Sequence, residues 1–434
     1  MVTQNAALIV ASLLAGVEVG APGTRTDIDA KVRPRLNIVL VEFLPSGGMF
    51  QFAFQFAEAL AKAGHDVQLL TGPNPELRSS TPGFRVIEAL PTWHPNTDNE
   101  GSALWRRARR VGRALLLVES WRRVLLHIRR TAPDIAQFGE FRYPLDTASF
   151  LALTRLARAK VVDVAHNPLP YDVNSKTQSV EKSGKLTGWL LTKAYQACDL
   201  VLVLGEGPRT ELLAEFPGVR RAVVCGHGDY SSVLAACATP PPSDAPPNAL
   251  FFGAWTKYKN IPLMLDAFAL VRSRLPEVRL TLAGPVMPDV DLAAITARAA
   301  AIGNVDLKPG YVAMKDIPAL FGAHRLVVFT YETVNISGSV HMAYTFGRPI
   351  VATDVGSMSD AVEHRVTGLL TAPDPGSVAQ AVIEVLDNPV AADRMGAAGA
   401  SRAQQASSWL SVADIATAAY AEALDRAPVA PVSP

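Results

Sequence analysis

Between Thr239 and Pro247, five of nine residues are proline. Proline fixes φ and offers no N–H, so this stretch forms neither helix nor inner strand. It divides a chain of 434 residues, more than one core usually serves, into two blocks. Each block repeats one pattern. In the first, Leu36–Phe43 is a β-branched run of strand length, and Pro45–Gly48 makes a turn. Apolar residues at helical spacing then run from Phe50 to Ala63, stop at Gly64, and give way to a second strand at Val67–Leu70. Strand, turn, helix and strand make a βαβ unit, which requires a parallel sheet covered on both faces.

Further strands are expected at Ile135–Phe138, Val161–Ala165, Leu200–Leu204 and Ala222–Cys225. After the prolines the pattern restarts with strands at Ala249–Phe252, Arg279–Ala283, Val305–Leu307, Leu326–Phe329 and Pro349–Ala352. Helices are expected at Leu263–Leu275, Val378–Leu386 and Ala413–Leu424. The fold class is therefore α/β, with two Rossmann-like domains facing each other across a cleft. Ligands in such sheets bind at the carboxyl ends of the strands. The expected organisation is a poorly ordered leader over 1–34, a first domain over 35–238, a proline-rich linker over 239–248, a second domain over 249–405, and a last helix over 406–425.

Composition removes several classes of function. A net charge of +1 offers no general field for nucleic acid, which is excluded as a partner. Cys198, Cys225 and Cys237 have neither CxxC nor zinc-finger spacing and are expected as reduced thiols, with no metal site. Ala6–Val19 is mostly apolar, but no Lys or Arg precedes it and it is too short to span a bilayer. It is taken as part of the leader, and the protein as cytoplasmic.

Four loops at strand ends carry candidate chemistry. Gly47 and Gly48 open a helix, where free N–H groups favour an anion, although a glycine pair there is also an ordinary tight turn. His166, at a strand end, suits a sugar hydroxyl or a phosphate oxygen, or equally caps its own loop. Gly253, Lys257 and Lys259 follow the first strand of the second block, where a lysine can neutralise a leaving diphosphate; surface lysines on a loop are otherwise common, and the place at a strand's carboxyl end favours function. Ser337, Gly338, Ser339 and Val340 open a helix, a phosphate seat without the Walker pattern, which the chain lacks, although a Ser N-cap explains Ser337 equally well.

In order, these loops resemble the family-4 retaining glycosyltransferases of GT-B fold (glycosyltransferase group 1). The resemblance runs from Leu36 to about Leu424. It is densest in Phe251-Phe-Gly253 with Lys259, Leu282-Ala-Gly284, Ser337-Gly338, Ala343-Tyr-Thr-Phe-Gly-Arg-Pro349, Asp354-Val-Gly356 and Val366-Thr-Gly368. It implies that Lys259 holds the donor diphosphate and that Gly47 and Gly48 lie near donor phosphate and acceptor. It places His166 near the donor sugar, and the amides of Ser337–Val340 around the phosphates. His227-Gly228 resembles a turn near the hinge, and Trp409 the start of a helix crossing back to the first domain. Two glutamates common in the family fall at Val334 and Met342, with Glu332 nearby, and its usual arginine falls at Ala254, where Lys257 is the substitute. This chain fits a subgroup with a Ser-Gly loop instead.

The implied activity is transfer of a sugar from a UDP- or GDP-sugar to an acceptor hydroxyl, with retention, on a lipid-linked or polysaccharide precursor. No permanently bound cofactor is expected. A catalytically degenerate nucleotide-sugar-binding scaffold is the alternative, kept open by the missing glutamates. Leu104–Thr131 holds nine arginines, Trp105 and Trp121. They read as two helices broken near Gly112 or Glu119, forming either a surface for anionic lipid on the inner face of the plasma membrane or a solvated basic face.

Overall fold

A computed structural model describes residues 35–91, 103–139, 144–169, 185–234, 239–334, 337–406 and 408–425. The leader, Cys237 and part of the arginine segment's flank lie outside them. The folded unit begins at Leu36.

The first block forms a seven-stranded sheet: β1 (Asn37–Val41), β2 (Asp66–Thr71), β3 (Phe84–Glu88), β4 (Ile135–Phe138), β5 (Lys160–Ala165), β6 (Leu200–Val203) and β7 (Ala222–Val224). The second forms a six-stranded sheet: β8 (Ala249–Phe252), β9 (Leu280–Gly284), β10 (Val305–Pro309), β11 (Leu326–Phe329), β12 (Ile350–Thr353) and β13 (Gly368–Thr371). Their orders are β3-β2-β1-β4-β5-β6-β7 and β10-β9-β8-β11-β12-β13. The pairings are parallel, for example Val39 against Gln68 and Ala136 on either side of β1. In each sheet the order reverses beside its first strand, between β1 and β4 and between β8 and β11. Those two crevices are where a doubly wound sheet offers a ligand site.

Four helices matter below: α1 (Gly48–Lys62), α2 (Ala103–Thr131), α3 (Gly338–Thr345) and α4 (Trp409–Leu424). In α1, Phe50, Phe52, Phe54 and Phe56 recur every second residue, which no single helical face can hold. All four are buried because α1 is enclosed: Phe54 meets Phe84 of β3 at 5.2 Å, and Phe52 meets Trp409 of α4 at 5.1 Å. Helix α4 thus completes the first domain's core, with Trp409, Val412, Ala416 and Tyr420 beside β1, β2 and β6 residues. Gly228 makes room for it, since a Cβ there would lie 2.1 Å from the Trp409 ring.

The proline segment does not hang free. Arg325 gives N–H groups to the carbonyls of Pro242, Ser243 and Ala245 and, at 2.7 Å, to that of Leu386. Arg348, fully buried, donates to Pro240 O at 2.6 Å, and Asp393 accepts from Ser243 N at 2.8 Å. Consecutive prolines leave carbonyls with no ladder to join, and two guanidinium groups satisfy them.

The arginine segment departs from expectation. It is one 29-residue helix, α2, without a break at Gly112 or Glu119. Glu119 accepts from Arg122 and Arg123, three and four residues on, which supports the helix there. Leu117, Trp121, Val124 and Ile128 hold its second half on the sheet.

Candidate functional site

A gathering of polar groups lies in the β8–β11 crevice. Gly253 follows β8 with φ +122°, a conformation side chains disfavour. A Cβ there would lie 2.7 Å from Lys259 Nζ and 2.8 Å from Ser339 Oγ, so the two side chains meet over the glycine. Gly284, the last residue of β9, packs so closely that its own Cβ would fall 2.0 Å from the Gly253 carbonyl. The crevice floor is therefore built from two glycine loops in contact.

Lys259 closes the 3₁₀ turn Lys257–Lys259 and is only 6% exposed. Thr330 Oγ1 holds the turn against the carbonyls of Lys259 and Asn260, each at 3.1 Å. Asn260, at φ 48°, then caps the next helix through Leu263 N. The Lys259 ammonium lies 5.4 Å from the Tyr331 ring centre and has no ion-pair partner among the described residues. Burial lowers its pKa to about 8. A buried cation without an anion is poised to take one. Lys257 stands on the exposed side of the same turn, with its N–H given to Asp289 at 2.9 Å. The structure brings Gly253, Lys259 and Ser339 together, and Lys257 apart from them.

Helix α3 starts beside this cluster. Ser337 is its N-cap but makes no capping bond, and its Oγ lies 3.3 Å from Tyr331 OH. Val340 differs from the expected anion seat: its N–H donates to Ser337 O at 3.0 Å and its side chain is in the core. Of the Ser337–Val340 set, Ser339 contributes its hydroxyl toward Lys259, and Gly338 faces the other domain. A Cβ on Gly338 would sit 3.1 Å from Tyr230 OH and 3.6 Å from His227 Nε2.

In the first domain, His166 follows β5 and meets the Phe52 ring edge-on at 4.5 Å. It lines a small cavity with Glu42, Met49, Gln137 and Gly139, at the β1–β4 crevice. Gly47, at φ 92°, opens α1, followed by Gly48 as its first residue. The Gly47 amide points at Glu76 Oε2, 3.4 Å away. Glu42, 6% exposed, turns back to accept from Leu44 N at 3.0 Å.

A cavity of about 210 Å³ lies where the second domain meets the β6 and β7 ends, lined by Gly207, His227, Ser337, His341, Ser357 and Arg402 among others. His227 donates from Nδ1 to Gly228 O at 2.6 Å, which leaves Nε2 as an acceptor. Its ring stacks on His341 at 4.6 Å and 11°. Burial holds the His227 pKa down at about 4 and that of His341 well below the usual range. His341 Nδ1 is buried without a partner.

Sequence reasoning did not single out Glu42, Glu76, Tyr311 or Tyr331. None belongs to a motif, and Glu76 and Tyr311 reach the cleft only through the fold. Among the described residues no three of His, Cys, Asp and Glu gather as a metal site would need.

Two family models divide the chain as the two sheets do. One described as Glycosyltransferase Family 4 matches residues 46–228, and one described as Glycosyl transferases group 1 matches residues 246–388. The chain belongs to the group 1, family 4 glycosyltransferases. Glycogen synthase of Mycobacterium tuberculosis is 25% identical over 405 residues, covering 89% of this chain and 94% of that one. Sucrose-phosphate synthase from Thermosynechococcus elongatus superposes with a TM-score of 0.66 at 19% identity, over 89% of this chain and 99% of that one. HepE of Anabaena, solved with UDP and glucose, gives 0.61 at 15%, over 89% and 100%.

The family fixes the reaction class, sugar transfer from a nucleotide-sugar donor, and its GT-B fold is the pair of sheets described above. Against the family pattern, Val334 and Met342 are both buried apolar residues where two carboxylates are common. Glu332 gives its N–H to Tyr258 O at 2.7 Å and so sits on the Lys257–Lys259 turn.

Proposed function

We propose that this glycosyltransferase seats the donor diphosphate on Lys259 and Ser339, over Gly253 and at the amino end of α3. The carrying observation is the buried ammonium of Lys259, without an ion-pair partner, aimed at a glycine that leaves space for an oxygen ligand. As the anomeric C–O bond breaks, negative charge grows on the departing phosphate, where a fixed cation and free helix amides stabilise it most. The acceptor oxygen bonds the sugar on the face the phosphate leaves, and its proton passes to that phosphate, which retains configuration. His166 and the Gly47–Gly48 loop face the same cleft and serve the sugar and acceptor. UDP-sugars are the donors to try first, supported by the UDP held in the Anabaena protein of like fold, with GDP-sugars second.

The acceptor is a lipid-linked or polysaccharide precursor, and α2 rests on anionic lipid at the inner face of the membrane. No helix among the described residues is long and apolar enough to cross a membrane. What supports a surface contact is the first half of α2, where Val111 and Leu115 are 55% and 65% exposed among arginines. Transfer assays with UDP- and GDP-sugars on wild type and Lys259→Ala test the donor seat; equal turnover in both would remove Lys259 from it. Flotation with anionic vesicles tests α2, and protein left at the bottom of the gradient would end the membrane reading.

A further inference from the structure

Glu76 lies in the loop after β2, and one carboxylate there joins four groups from both domains. Its oxygens accept from Tyr311 OH at 2.6 and 2.7 Å, from Gln51 Nε2 at 3.2 Å, from Gly47 N at 3.4 Å and from Met314 N at 3.4 Å. Gln51 Nε2 also donates to Tyr311 OH at 2.9 Å, and Glu76 N to Pro45 O at 2.8 Å. Pro45, Gly47 and Gln51 belong to the glycine loop and first turns of α1. Tyr311 and Met314 follow β10 in the second domain. The Tyr311 bonds have the short length of charge-assisted ones, the Gln51, Gly47 and Met314 bonds are longer, and all converge from two domains on one side chain.

Tyr311 is half exposed, at 50%, so core packing does not explain its place. Gly47 stands at φ 92°, where its amide direction depends on whatever holds the loop. We propose that Glu76 and Tyr311 form a cross-domain positioning pair, setting the Gly47–Gly48 loop when the domains meet. Neither residue touches the reacting atoms. The pair couples the arrangement of the glycine loop to the approach of the second domain, so the loop takes its working geometry only with the cleft assembled. The proposal rests on the glycosyltransferase activity and on the loop serving it.

The test has two arms. In hydrogen exchange of the free protein, Tyr311→Phe speeds exchange across residues 45–51, although the substitution lies in the other domain. In transfer assays, Glu76→Ala and Tyr311→Phe each lower kcat about tenfold with donor KM within about twofold, the size expected of a misplaced loop. The double variant falls no further than Glu76→Ala alone, and Glu76→Gln, which still accepts from Gly47 and Tyr311, recovers most of the rate. Unchanged exchange in Tyr311→Phe overturns the proposal, as do additive losses in the double variant. A parallel loss of donor affinity overturns it too, because that would place the pair in the donor seat. The exchange arm needs no substrate, so it stands even if no donor is found.

Discussion

The imidazoles of His227 and His341 stack across the domain boundary, 4.6 Å apart and nearly parallel. Both rings are held neutral, His227 with its pKa down at about 4 and His341 well below its usual range, each chiefly by burial. The unfolded chain takes up a proton at each as pH falls through about 6.5, while the folded protein does not until near 4 at His227. The stability they contribute is therefore complete above about pH 6.5 and is lost on acidification. Stability is expected to drop between pH 6.5 and 4.5, by up to about 1.4 kcal/mol per pH unit from His227, with His341 acting in the same direction. The double variant His227→Asn, His341→Asn should show a shallower acid slope in thermal melts, whatever its stability at pH 7.5.

Lys259 carries the opposite consequence for ligand binding. With its pKa lowered to about 8 by burial, the free protein loses the ammonium as pH rises through 8. Affinity for a nucleotide diphosphate should fall by up to about tenfold per pH unit above that value. Calorimetric titration with UDP and GDP from pH 7 to 9.5 reads it. Lys259→Ala should flatten the profile and cut turnover on the order of 10²-fold. A wild-type affinity constant across that range would show that the lysine meets no phosphate.

Gly253→Ala asks whether the space over the glycine matters. The new methyl would stand 2.7 Å from Lys259 Nζ and 2.8 Å from Ser339 Oγ, on backbone at φ 122°. The side chains must part, and the donor seat opens. Nucleotide affinity is expected to fall at least about tenfold, with a modest loss of stability of about 1–2 kcal/mol from the strained backbone. Parallel titration and melting experiments separate the two effects.

Arg325→Ala should be costly although the residue is far from the cleft. It leaves the carbonyls of Pro242, Ser243, Ala245 and Leu386 without their donor. A loss of about 3 kcal/mol in urea unfolding is expected, since several charge-assisted bonds go at once. Donor affinity in the variant should stay within twofold of wild type.

Much of this was legible from residue order, and the gaps have physical causes. Strands such as β6 and β11 are buried on both faces, so they read as unbroken apolar runs. The edge strand β3, Phe84-Arg-Val-Ile-Glu88, is half in water and carries charges, so its pattern went unread. β13 was hidden by its opening glycine, which sits where a Cβ would lie 2.2 Å from Ile350 O. Gly112 and the scattered arginines of α2 suggested a break that the ion pairs of Glu119 make unnecessary. In the crevice, Lys257 and Lys259 are alike as letters, and only the 3₁₀ turn sends one inward and one outward. Glu76 and Tyr311 lie 235 positions apart and carry no local pattern that joins them.

The dependence of the first domain on α4 reaches back to the ribosome. Trp409 and Tyr420 fill the core around α1, yet they are made after the whole second sheet. The emerging first domain must wait with Phe52 and Phe56 uncovered until the second sheet and α4 have been translated. A ribosome stalled just before Trp409 would hold a second domain with its six described strands beside a first domain that cannot close.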